Sequence, residues 1–155
     1  YLNRGENQLR QWQASGRLTN LPELHTVALN ADLNDTSAFL DARARAYLDI
    51  NCGHCHNAQG AADTSGLLLD AAVESNRQLG LCKPPIAAGG GTGGRPYSIV
   101  PGEPERSILV YRLETTEPAA MMPELGRSLV HSEGVTLLTD WVASLDGECV
   151  EMSSD

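Results

Sequence analysis

Apolar positions recur at helical spacing in four stretches of the chain, and nowhere do they alternate over the length that a half-buried strand needs. Near the start, Leu9 and Trp12 stand among polar residues between Gly5 and Ser15, and Gly16 follows. That pattern predicts a short surface helix closed by a glycine, which tolerates the left-handed conformation at a helix end. Residues 17–35 keep no sustained period. So long a structureless connection is unusual inside a compact domain, and it is expected to wrap over the core or to lead towards a neighbour. A second helix is predicted from Ser37 as N-cap, with Asp41 early and Leu40, Ala44, Tyr47 and Leu48 on one face, and it runs straight into Cys52.

Residues 63–80 mix Leu67, Leu68, Leu69 and Ala71 with turn formers, so they read as loop with room for a short helix. Lys83-Pro84-Pro85 and Gly89-Gly90-Gly91-Thr92-Gly93-Gly94 continue as flexible loop. Gly102-Glu103-Pro104-Glu105 predicts a helix start, with proline in the first turn beside acids, followed by Ile108, Leu109, Tyr111 and Leu113 and an end near Thr115. The last helix opens at His131 or Ser132; Val135, Leu138, Val142 and Leu145 share a face with Trp141, and Gly147 closes it. No fixed repeat is visible, and the expected fold is all-α.

A length of 155 residues argues for one domain with an extension. Aromatic residues make up only 5% of the chain, with one Phe and two Trp, which is thin for a core built of side chains alone. A bound group filling the middle would make up the difference. Eleven Lys and Arg against twenty Asp and Glu give a formal charge of −9, which repels nucleic-acid phosphates and anionic lipid. No stretch approaches the ~18 apolar residues of a membrane span, so membrane insertion is not expected. Tyr1 in first place fits either a removed leader or a piece cut from a longer protein.

Cys52-Gly53-His54-Cys55-His56 is a C-x-x-C-H pentapeptide, the attachment signature of c-type haem. Two thiols three positions apart can add to the two vinyl groups of a haem, and the adjacent imidazole then reaches the iron from one side. Competing readings are a thioredoxin-like redox pair, half of a zinc site, and chance. The redox pair wants a preceding strand, whereas a helix leads in here; zinc wants a second close ligand pair, whereas Cys82 and Cys149 stand far apart. His54, between the thiols, is expected to face solvent. The glycine run formally satisfies G-x-G-x-x-G, yet no strand precedes it and Pro96 follows. Neither G-K-[ST] nor G-x-S-x-G occurs, and Glu103 with Glu105 reads as helix-start charge and not as an acid/base pair.

With these residues in view, the chain resembles class I c-type cytochromes. Ala44-x-x-x-Leu48-x-x-x-Cys52 is similar to the family's first helix, where a small and then an apolar residue precede the first haem cysteine. Leu138-x-x-Trp141-Val142 resembles its last helix, whose aromatic packs across that small residue. Cys82-Lys83-Pro84-Pro85, Val100-Pro101-Gly102-Glu103-Pro104 and Met122-Pro123-x-Leu125-Gly126 look like the cytochrome domains of bacterial multidomain redox proteins. The resemblance covers about residues 37–147. It implies a cytochrome c-like helical domain over 37–150 around one covalently bound haem c, an N-terminal extension over 1–36 and a tail over 151–155. The segment between His56 and Met122 is long and glycine-rich for a small cytochrome, and residues 1–36 have no counterpart in the family.

The resemblance also implies a ligand set, a role and a place. Cys52 and Cys55 would carry the haem and His56 would bind the iron from one side. From the other side the expected ligand is Met122, in a proline-containing loop before the last helix, where Pro123 disfavours winding Met122 into a turn. Met121 is the close rival; His25, His131 or no ligand are the remaining choices, and Met152 in the polar tail is a poor one. The implied role is an electron carrier, not an enzyme, passing single electrons to redox protein partners through a complementary basic patch. A haem enzyme of peroxidase or gas-binding type with an open distal side is the alternative, and an electron-relay domain of a larger dehydrogenase is a third. The implied location is periplasmic or otherwise extracytoplasmic. In an oxidising compartment, the two cysteines left over, Cys82 and Cys149, are expected to form a disulfide.

Overall fold

A computed structural model of the chain describes residues 7–86 and 88–150. Five α-helices form among them: α1 (Gln8–Ala14), α2 (Leu40–Leu48), α3 (Asn76–Leu79), α4 (Ile108–Glu114) and α5 (Ser132–Ala143). No strand forms among the described residues; Leu81 with Ile99 and Tyr97 with Ser107 make isolated bridges. The fold is therefore helical, as the periodicity predicts. Met152 and the rest of the expected tail lie outside the described residues.

The helix α1 forms as expected: Asn7 accepts from the amides of Leu9 and Arg10, and Gly16 takes the left-handed φ of +72° past its end. The start of α2 differs from the sequence reading. Ser37 donates its hydroxyl and its amide to Asp35 Oδ1 at 2.6 and 3.0 Å, so it closes a turn and caps nothing. The helix begins at Leu40 behind Phe39, without a side-chain cap. The stretch before it does wrap over the molecule: Asn30 donates to Asp49 at 2.9 Å and the Leu33 carbonyl accepts from Arg43 at 3.2 Å.

The helix expected from Pro104 to about Thr115 is broken in two. Residues Pro104–Arg106 form a 3₁₀ turn, Ser107 is extended, and α4 starts only at Ile108. Ser107 is buried and its hydroxyl accepts from the Val100 amide at 2.8 Å, so serving the neighbouring segment outweighs continuing the helix. The glycine run is likewise folded and not a free loop. Gly89–Thr92 is a 3₁₀ turn, and Arg112 of α4 donates to the Gly91 carbonyl at 2.9 Å; a side chain at Gly91 would run into that guanidinium.

The core gathers where α5 packs on both α2 and α4. Ala44, Leu48, Cys52, Val110, Leu113, Leu138, Trp141 and Val142 belong to one buried cluster, which Leu79 of α3 and Leu69, Val73 and Ile99 of the connections complete. Ala44 is small enough to bring α2 close to Trp141, whose indole N–H donates to Asp41 at 2.8 Å. At Gly134 a Cβ would overlap the Tyr47 ring, so the first turn of α5 lies directly on α2. Behind α5, Cys149 is bonded to Cys82, with their Cα atoms 5.2 Å apart. Closing a segment of 67 positions stabilises by roughly 4 kcal/mol on the chain-entropy argument.

Candidate functional site

The C-x-x-C-H residues sit where α2 changes its winding. After Leu48 the helix widens into a π-type turn over Asp49–Gly53, a feature that recurs at functional sites. The end of that turn exposes carbonyls, and several nearby donors satisfy them. Cys52 O accepts from the amides of Cys55 and His56 at 3.1 and 2.9 Å, and Asn57 donates its side-chain amide to Gly53 O at 2.7 Å and His54 O at 3.3 Å. The carbonyls of Cys55 and His56 accept from the amides of Ala62 and Leu69. Backbone closure here is tight: a Cβ at Gly60 would strike the Cys55 carbonyl.

Cys52 is buried, Cys55 is half-buried, and neither is in a disulfide. Burial, and after it the charge of Cys55, pushes the Cys52 thiol up to about 12. The attacking thiol of a redox-active dithiol needs the opposite shift, so Cys52 is not suited to that part. Zinc fares no better: the other two cysteines are bonded to each other, and among the described residues no three His, Cys, Asp or Glu side chains are grouped to hold a metal ion.

His56 is half-buried, and its Nδ1 lies 3.3 Å from the Leu67 carbonyl. Burial is the main cause lowering its pKa, with the charges of Arg112 and His54 acting in the same direction against that hydrogen bond. The imidazole is thus kept neutral and oriented, with Nε2 left as the free lone pair. The loop that supplies Leu67 is anchored by Lys83, a buried lysine whose ammonium donates to Ser65 O at 2.6 Å; burial pushes its pKa down. His54 is exposed, as its place between the thiols predicts.

Met122 lies in residues 115–131, which hold no helix, and it lines a cavity of about 480 Å³. That volume is within the ~300–1,000 Å³ of small-molecule sites. Leu113, Leu129 and Val135 supply apolar wall, and Tyr47 and Asn51 complete it from α2 and the π turn. The cavity wall therefore includes the residue next to Cys52 in sequence, while Cys52, Cys55 and His56 themselves are not part of that wall. Met121 is not part of it either; its amide donates to Glu117 O at 2.8 Å. His131 is exposed at the head of α5 yet reaches the cavity edge, where its ring stacks on Tyr47 and its Nδ1 meets the Tyr47 hydroxyl at 3.0 Å. His25 is exposed in the turn Leu24–Thr26, away from this wall.

Two residues of the site escaped the sequence reading. Gly134 had no periodic signal, because its role is the space it leaves for Tyr47. Arg127 looked like one more surface charge, although its guanidinium binds backbone carbonyls of the cavity segment, Met122 among them, and of α4 before it. Comparison of the chain with protein-family models, with curated proteins and with solved structures gave no match.

Proposed function

We propose that the chain is an electron carrier of the class I c-type cytochrome kind, with one haem c attached through Cys52 and Cys55 and ligated by His56 and Met122. One observation carries the reading: a C-x-x-C-H turn that closes a buried helix, with two free thiols and an imidazole whose Nδ1 is already engaged by a backbone carbonyl. The donor set fits the group. Thiols suit thioether formation, Nε2 of His56 suits iron, and the thioether of Met122 lies in a partly apolar cavity whose wall begins one residue before Cys52.

Bound there, the haem iron would supply reversible uptake and release of one electron. The chain's own residues do the rest. Leu67 O orients the imidazole; Leu113, Leu129 and Val135 supply apolar wall to the cavity; Met122, as a ligand, would exclude competing small ligands. Ligation by Met122 would favour the carrier over the peroxidase-like alternative. Met122, and not Met121, is the choice because Met122 alone of the two lines the cavity. Residues 37–150 would form the cytochrome domain, with 1–36 as an extension and 151–155 as a tail. The acidic balance of the chain fits docking to a basic patch on a redox protein. A disulfide, together with the extracytoplasmic setting of c-type haem attachment, supports an address outside the cytoplasm; among the described residues no helix is long and apolar enough to cross a membrane.

Mass spectrometry and visible spectroscopy of denatured protein test the reading. The expected mass exceeds the polypeptide by one haem, and Cys52→Ala with Cys55→Ala releases the haem to acid extraction. Haem that is extractable from the unmodified protein, or no haem at all, overturns the proposal.

A further inference from the structure

We propose that Arg127 is the positioning residue of the distal ligand, fixing the backbone of Met122 so that its thioether is presented at one place. The inference rests on Met122 being the ligand. A guanidinium has five N–H donors in a rigid plane, and all five of Arg127 are used on carbonyls. Its Nε donates to Leu129 O at 3.1 Å; one terminal nitrogen donates to Arg112 O at 2.9 Å and to Met122 O; the other donates to Leu113 O at 2.6 Å and Thr115 O at 2.9 Å.

The choice of acceptors matters. Arg112 and Leu113 are in the last turn of α4, where carbonyls lack helical partners and the helix end favours a cation. The amide of Met122 donates to the same Arg112 carbonyl at 2.9 Å. Met122 is therefore gripped at both its N–H and its C=O, and both grips meet on one carbonyl of a helix that belongs to the core. Nothing else regular holds this stretch, because residues 115–131 contain no helix. A methionine side chain has three rotatable bonds, so a thioether can return to one position only if its backbone is fixed. Lysine would keep the charge and lose the planar fork, which separates charge from geometry.

The test uses the full chain with haem attached, in unmodified, Arg127→Lys and Arg127→Gln forms. Both variants are expected to keep haem covalently bound, to lose most of the far-red sulfur-to-iron band of the ferric protein, and to bind cyanide about tenfold faster or more, the scale of one lost hydrogen bond to a charged group. In the unmodified protein, the guanidinium protons of Arg127 are expected as separate, slowly exchanging nuclear magnetic resonance signals, a reading that depends on no variant. A band and a cyanide rate unchanged in both variants, or guanidinium protons that exchange freely, overturn the positioning role while leaving Met122 as ligand. An unmodified protein without the band overturns Met ligation, and the positioning role with it.

Discussion

The turn from Cys52 to Asn57 and the segment 115–131 carry the two halves of the candidate ligand set, and they are held by opposite means. The turn grows out of a helix whose buried face lies in the core, and its carbonyls are satisfied separately by the amides of Cys55, His56, Ala62 and Leu69 and by Asn57. The segment has no helix of its own, and five carbonyls in and beside it accept from one guanidinium. Distributed satisfaction means that a single loss at the turn costs about one hydrogen bond, ~0.5–1.5 kcal/mol. Concentrated satisfaction means that one substitution at Arg127 removes five hydrogen bonds at once.

The largest effect is expected from weakening the core under the turn. Leu138 is fully buried in the cluster that contains Ala44, Leu48 and Cys52, so Leu138→Ala is expected to cost ~2–5 kcal/mol in denaturant unfolding. The far-red band should persist below the unfolding transition. Loss of the band in the folded variant would mean that segment and core are not separately held. A smaller effect is expected from Gly134→Ala, whose methyl group meets the Tyr47 ring. Overpacking of this kind costs ~1–3 kcal/mol, and because Tyr47 also lines the cavity and stacks on His131, cyanide binding should change as well. An unchanged stability would show that Tyr47 swings aside freely.

The same contrast explains what was legible in the sequence. The turn could be read because its chemistry is local: two thiols and an imidazole within five consecutive residues, ahead of which Leu40, Ala44 and Leu48 keep helical spacing. In α5, Leu138, Trp141 and Val142 could be read because a long amphipathic helix imposes its own period. The segment could not be read in this way. Arg127 is made important by carbonyls up to fifteen residues away, and a backbone acceptor leaves no trace in residue type. Ser37 failed as a helix start because Asp35 captured the serine, and the turn that Pro104 does open was cut short at Ser107. Gly89–Thr92 gave a loop signal by composition, and only Arg112 reveals it as a packed turn.

Asn57→Ala tests how the turn itself is held. Asn57 is half-buried, and its amide group serves Gly53 O and His54 O while its carbonyl oxygen accepts from Gln59 at 2.9 Å. The expected loss is ~1 kcal/mol in unfolding free energy, with the far-red band and covalent haem retained. A band weakened as much as in Arg127→Lys would show that the turn, too, hangs on one side chain.

The smallest expected effect lies upstream, where the chain enters α2, and it is a matter of pH. Asp35 accepts the Ser37 hydroxyl at 2.6 Å and the Ser37 amide at 3.0 Å, and these bonds, the hydroxyl first, hold its carboxyl below the ordinary 3.8. A carboxyl with a lowered folded pKa binds fewer protons folded than unfolded, so its stabilisation is present above the ordinary value and is lost as pH falls through the folded one. The group is fully exposed, so solvent screening keeps the contribution slight. Carbon-13 titration of the Asp35 carboxyl should give a midpoint below 3.8 in the unmodified protein and a midpoint moved back towards 3.8 in Ser37→Ala. Neither change should reach the site, because Ser37 stands before α2 and the turn is anchored through the far end of that helix. A far-red band that follows the Asp35 titration would tie the ligand set to the approach to α2, and the independence of the turn would fail at its weakest point.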